Sequence, residues 1–416
     1  MAAESKSAKR SLLREVGPDG HATVGYAELF FDLVYVFAIT QLSHYLLAHH
    51  DLAGVLETLM LFLAVWWAWT YMAWATNWLD PERPAVRIMI FLVMLASLAM
   101  SASIPGAFGD KGLVFALAYL AMQIGRTGFL VRVMRRERPE TSRNLLRANL
   151  WFVLSAPFWI WGALAAEEMR LILWGVAIAI NYAAPMALFW IPGLGYSATT
   201  DFGLSSGGHM AERCALLIII ALGEGVLVTG ATFAGMAWGW PAVAAFLTAF
   251  AGSVAMWWVY FDLGMRRAAH HIEHHADAGR VARDIYTYAH IPIVAGIVVT
   301  AVCDEMMLAH PRGHAEPLFL WVAIGGPALF LAGAMVLKRA TSGRSWWPLS
   351  HLVGLGLFGL IALWGAVGHP APLALGIASV AVLAVVAAWE WGSFHGGWIE
   401  RGVPVPRRLR EYGERR

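Results

Sequence analysis

Residues 24–46 read VGYAELFFDLVYVFAITQLSHYL. This stretch decides the fold class, because it is an apolar run of membrane-spanning length that carries two carboxylates, Glu28 and Asp32. A helix needs about 20 apolar residues to cross a hydrocarbon core about 30 Å thick. Working outward, eleven further runs of comparable length follow, at 53–76, 85–105, 112–134, 147–166, 170–191, 212–236, 241–263, 284–305, 316–338, 346–367 and 370–390. The chain is 59% hydrophobic and only 14% charged, with a mean hydropathy of +0.59. That balance is wrong for a soluble core. The expected fold is therefore an all-α polytopic membrane protein of about 12 transmembrane helices.

The basic residues orient it. Lys and Arg fall in alternate gaps between the runs, and these gaps and the two tails hold 25 of the 30. The gap from Arg132 to Arg147 holds six, and the C-terminal tail another six. Arg126 and Arg213 lie within spans, and Lys111, Arg170 and Arg312 occupy the opposite gaps. Basic residues concentrate on the cytoplasmic side, so both termini are expected there. With topology accounting for the basic residues, no nucleic-acid partner is expected; the partner is the lipid bilayer. The first run lacks a small-residue cleavage site and reads as a retained helix. Cys214 and Cys303 fall toward opposite faces, too far apart for a disulfide.

A repeat lies within the twelve runs. Glu28 opens AELFFDLVYVFAIT and Glu212 opens AERCALLIIIALGE. Trp66-Trp67 matches Trp257-Trp258, Arg87 matches Arg283, and Trp161-Gly162-Ala163 matches Trp364-Gly365-Ala366. The offsets rise in order, 184, 191, 196 and 203. This predicts a parallel 6+6 repeat, with 24–191 and 212–390 as its halves between cytoplasmic tails 1–23 and 391–416.

Ionisable groups within the bilayer are costly and need partners or water. Glu28 and Asp32 are four apart, on one helical face. Two carboxylates so close repel one another unless a cation sits between them. Together they suggest a proton or sodium site, or, for Glu28 in particular, a salt bridge to an arginine of another helix. Glu224, flanked by Gly223 and Gly225, falls near mid-membrane, where glycines permit a broken helix or close approach. Its candidate partner is Arg126, the one arginine far from a helix end. His209, Glu212, Arg213, Tyr260, Asp262, Asp284, Tyr286 and His290 gather toward the cytoplasmic half and are expected to form a vestibule leading to Glu224. His290 is placed as a proton relay, and Pro292 as a kink. The run His270-His271-Ile272-Glu273-His274-His275 has metal-ligand spacing and resembles one histidine box of membrane fatty-acid desaturases. The further boxes that such enzymes need are missing from its membrane face. No metal or other cofactor is therefore expected.

With these residues in place, the chain resembles the bacterial low temperature requirement A (LtrA) family. The likeness rests on Glu28 through Thr40 (ELFFDLVYVFAIT) and its continuation to His44, on His209 through Glu224 (HMAERCALLIIIALGE), on Trp257 through Asp262 (WWVYFD), and on Tyr288 through Pro292 (YAHIP). It implies a multi-pass bacterial membrane protein linked to growth in the cold. It also matches Glu28, Asp32, Glu212, Arg213, Glu224, Asp262 and His290. Two halves, buried carboxylates and no Walker A sequence point to a secondary transporter, coupled to protons or ions, of an unknown small molecule or ion. The alternatives are a non-transporting membrane scaffold or sensor, and an intramembrane lipid-modifying enzyme.

Overall fold

The structure is a computed structural model and describes residues 11–14, 22–198, 207–262, 278–341 and 347–394. Among these residues the fold is all-α, with twelve long helices and no β-sheet. They are α1 Tyr26–Ala48, α2 Leu52–Trp78, α3 Pro84–Ser103, α4 Gly112–Glu137, α5 Pro139–Leu164, α6 Glu167–Met186, α7 Gly207–Ala234 and α8 Trp240–Asp262. Then come α9, whose main part is His290–Ala309, α10 Pro317–Thr341, α11 Leu349–Gly368 and α12 Pro372–Phe394. Each overlaps one of the twelve apolar runs.

Eleven of the helices are long and apolar enough to cross a membrane. The exception is α5. Its first turns carry Arg143, Asn144, Arg147 and Asn149, so its apolar part begins near Leu150. Fifteen residues then remain, about 22 Å at 1.5 Å per residue, short of a full hydrocarbon core.

The chain divides into two compact units. The first holds α1–α6, α7 as far as Glu224, and the beginning of α9 as far as Val294. The second holds α7 from Gly225, α8, α9 from Ala295, and α10–α12.

In the first unit α2 is the central post. Ala64 through Thr70 are all buried in succession, as expected of a helix that is apolar all round. Helices α1, α4 and α6 pack against it, while α3, α4, α5 and α6 pack each on the next. Trp159 and Trp174 are wholly buried and stand 5.3 Å apart, with Phe115 stacked 5.3 Å from Trp174. Gly162 makes that contact possible, because a Cβ there would lie 2.5 Å from the Trp174 ring. Arg170, one of the basic residues outside the main gaps, proves structural. Its guanidinium donates to the carbonyls of Ala107 (2.8 Å), Gly109 (2.7 Å), Gly162 (3.2 Å) and Ala163 (3.1 Å), satisfying groups left open at the end of α5 and in the turn after α3.

In the second unit α8 packs on α12, and α10, α11 and α12 pack on one another. A methyl at Gly296 of α9 would lie 2.4 Å from the Phe330 amide nitrogen of α10, and one at Gly326 2.7 Å from Thr300 Oγ1. Small residues on both helices let their backbones approach.

Candidate functional site

The site grows from α1. Glu28 sits in its first turn and reaches back to the Gly25 amide, with Oε2 accepting at 2.7 Å. Oε2 also accepts from Arg14 Nη2 at 2.9 Å. Arg14 is held in place because its own segment pairs with the end of α2, through Arg14 N to Trp78 O (2.8 Å) and Arg14 Nε to Thr76 O (3.1 Å). Glu28 Oε1 accepts from His209 Nε2 at 2.8 Å, and Arg213 Nη1 lies 3.4 Å away. Asn77 Nδ2 faces His209 Nδ1 at 3.3 Å. A ring that accepts at Nδ1 and donates from Nε2 is the neutral imidazole.

One turn further along, Asp32 Oδ1 accepts from Arg213 Nη2 at 2.7 Å and from Trp69 Nε1 at 2.9 Å. Arg213 thus sits between the two carboxylates and also lies over the Trp69 ring, 5.8 Å from its centroid. Glu28, Asp32, His209 and Arg213 are all fully buried. Two carboxylates face two guanidinium groups, so the cluster balances with His209 neutral. The pattern is uneven, however. Glu28 accepts on both oxygens, whereas Asp32 Oδ2 and the Nε and Nη1 of Arg213 are buried without a hydrogen-bond partner among the described residues. That leaves one open acceptor oxygen and two open donor nitrogens in the cluster. A proton arriving at Asp32 would turn an ion-pair acceptor into a neutral acid and loosen its hold on Arg213.

Helices α1 and α7 meet again two turns along α1. Thr40 Oγ1 donates to Glu224 Oε1 and also lies 3.1 Å from the Val36 carbonyl. The Glu224–Arg126 pair that the sequence suggests does not form. Arg126 is bonded to Gln123 Oε1 and to the Ala68 carbonyl (3.3 Å), and lies over the Tyr71 ring, 5.3 Å from its centroid. Nor is α7 broken at Glu224. It runs continuously from Gly207 to Ala234, and a methyl at Gly223 would meet no described atom within 4 Å.

Of the expected vestibule, His209 and Arg213 join Glu28 and Asp32, while Tyr286 and His290 are buried nearby in the same unit. The Tyr286 hydroxyl donates to Gly207 O at 3.1 Å. The turns before Pro292 open into a π-helical stretch, Arg283–Ala289. Pro292 has no N–H for the helical ladder, and π segments recur at functional sites. The stretch presents the Thr287 carbonyl to Trp66 Nε1 (2.9 Å) and the Ile285 carbonyl to His290 Nδ1 (2.9 Å). Glu212 and Asp284 stand apart from the buried cluster. Glu212 is exposed and accepts weakly from Val24 N at 3.3 Å, and Asp284 is half exposed and pairs with Arg283. Tyr260 is buried in the second unit, and the side chain of Asp262 and the run His270–His275 lie outside the described residues.

Sequence reading passes over Trp69, Arg14, Asn77 and Thr40. Each is a common residue in an unremarkable place, and only folding sets it against a charge. The second unit has its own buried cluster, also unread. Glu390 takes Lys338 Nζ on one oxygen and Ser350 Oγ on the other, with His351 Nδ1 at 3.8 Å.

Fold and site together define a multi-pass helical membrane protein with a buried charge network. Residues 23–388 match the family of the bacterial low temperature requirement A protein (LtrA), and the chain belongs to that family. It is also similar to an uncharacterized protein, RA0937, of Rhizobium meliloti (strain 1021), at 39% identity over 368 residues, covering 88% of each chain. No solved structure matches it.

Proposed function

We propose that this protein is a proton- or ion-coupled secondary transporter in the lipid bilayer of the bacterial inner membrane, built as a parallel 6+6 repeat with both termini cytoplasmic. The observation that carries the reading is the Asp32–Arg213 pair. It lies fully buried within spans, in a balanced cluster, with one carboxylate oxygen and two guanidinium nitrogens left open among the described residues. Charges in such a place are expensive and mark ion pathways in membrane proteins. Neutralising Asp32 releases Arg213 from one of its two carboxylates and changes how α7 is tied to α1. Glu28, held by hydrogen bonds from Gly25, Arg14 and His209 with Arg213 as a further ion-pair partner, is the anchor of the site, and Asp32 is the group that responds. Thr40–Glu224 is a second tie between the same helices, placed further along the path.

The repeat rests on the matched sequence segments of the two halves. Gly162 and Gly365 stand at corresponding sequence positions of α5 and α11, but a Cβ would lie 2.5 Å from Trp174 of the following helix, α6, at the first and 2.2 Å from Leu320 of the preceding helix, α10, at the second. The preceding Trp161 and Trp364 both face outward.

The test is proton flux in proteoliposomes driven by a potassium diffusion potential. Flux above that of empty liposomes, lost in Asp32→Asn and Glu224→Gln at unchanged expression, supports the reading. Normal flux in both variants would remove these carboxylates from any pathway and leave the network as the brace of a membrane scaffold.

A further inference from the structure

One charge of the buried cluster does not come from a helix. Glu28 and Asp32 belong to α1 and Arg213 to α7, whereas Arg14 arrives on a short non-helical segment, residues 11–14. Two backbone bonds dock that segment on the end of α2, Arg14 N to Trp78 O (2.8 Å) and Asp80 N to Leu12 O (3.0 Å). Ser11 Oγ adds an exposed bond to Glu137 Oε2 of α4 at 2.7 Å. So small a docking area can open locally while the helices beneath it stay folded.

The Arg14 guanidinium fills a site whose walls belong to the helical body. Its Nε donates to Thr76 O (3.1 Å), its Nη1 to Thr23 O (2.7 Å) and its Nη2 to Glu28 Oε2 (2.9 Å). Each nitrogen of one planar cation thus meets its own acceptor, an arrangement that suits a guanidinium better than a point charge. Thr76 lies in the last turn of α2, where open carbonyls and the negative end of the helix dipole favour a cation. The Glu28 side chain is wholly buried and that of Arg14 is 8% exposed, so the occupant touches solvent while the carboxylate does not.

Charge ties the segment to the site. With Arg14 withdrawn, Glu28 and Asp32 keep only Arg213 between them, and an unbalanced buried negative charge is strongly unfavourable. Lifting the segment is therefore linked to the arrival of another cation, which favours the lifted state by mass action. A free guanidinium compound reproduces both the charge and all three contacts.

We propose that residues 11–14 form a strap whose Arg14 is the tethered occupant of a cation site, and that small guanidinium compounds bind there when the strap lifts. The assignment concerns binding at Glu28 and stands independently of transport. Its test reads no flux, so its failure leaves the role of Asp32 untouched.

The experiment uses the purified full chain, with methylguanidinium as the probe. Its neutral counterpart methylurea, and sodium chloride at equal ionic strength, are run in parallel. In Arg14→Ala the thermal midpoint should fall, and methylguanidinium should restore it saturably where the two controls do not. That titration gives the dissociation constant. In Leu13→Cys, with Arg14 intact, the new thiol replaces a buried side chain, so a maleimide reaches it only while the strap is lifted. Cys214 and Cys303 are buried and contribute little background. Methylguanidinium at about ten times its dissociation constant should speed labelling about elevenfold, the increase in the lifted population. Methylurea should leave the rate unchanged. Absence of selective rescue in Arg14→Ala would show that the site takes no free cation. Rescue without faster labelling would make Arg14 a fixed brace, and either result overturns the proposal. Should Arg14→Ala not fold, labelling decides by itself, and a rate unchanged up to the highest non-denaturing concentration overturns it.

Discussion

Arg213 shows how much depends on one side chain. It is fully buried, bridges Glu28 and Asp32, and has aromatic cover from Trp69. Removing one partner of a buried charge cluster strands the others, typically at about 3–5 kcal/mol. Arg213→Met should therefore lower the thermal midpoint sharply, and adding Asp32→Asn to it should recover part of the loss. A single variant as stable as the parent would show that water reaches the cluster. Glu28 and Asp32 separate by the same reasoning. Glu28→Gln leaves Arg14, His209 and Arg213 facing a neutral amide, while Asp32→Asn disturbs only Arg213 and Trp69. Thermal unfolding should rank Glu28→Gln as the more damaging and flux should be lost in Asp32→Asn; the reverse order in stability would contradict the anchor role of Glu28.

At the scale of helices, glycines that look alike in sequence do different jobs. Gly296 and Gly326 sit where two backbones nearly touch. Gly296→Val forces α9 and α10 apart and should cost about 1–3 kcal/mol, as overpacking does. Gly223 meets nothing, so Gly223→Ala should be neutral or stabilise α7 by up to about 1 kcal/mol, the difference in helix propensity. Denaturation of the two variants side by side checks this, and equal losses would contradict the geometry. The flanking glycines of Glu224 suggested a broken helix, yet α7 is continuous, because a glycine permits a break without requiring one. In α9 the widening before Pro292 follows from chemistry visible in the chain, the missing N–H.

For the molecule as a whole the decisive prediction is topological. Cys214 and Cys303 are both buried, so the native background to an impermeant thiol reagent in intact cells should be low. A cysteine placed at Lys111 or Arg312 should label from outside, and one at Arg138 should label only after the membrane is opened. Labelling of the Arg138 position in intact cells would invert the orientation. The same assay addresses the parallel repeat, since two halves of the same orientation require Arg87 and Arg283 to share one face.

The membrane class and the helix positions were legible in the sequence by itself. Bilayer thickness dictates the length of each apolar run and the absence of water within it dictates helix, and neither depends on what packs against what. The chain also marked Glu28, Asp32, Arg213 and Glu224, because a charge in such a run has no cheap explanation. Only the tertiary structure decided who partners whom. It picked out Arg213 as the arginine shared by Glu28 and Asp32, gave Thr40 rather than Arg126 to Glu224, and brought Trp69, Asn77 and Arg14 to the cluster. Hydrogen bonds are satisfied over about 3 Å, between residues up to 184 positions apart in the chain, and spacing along one helix carries no record of which other helix lies opposite.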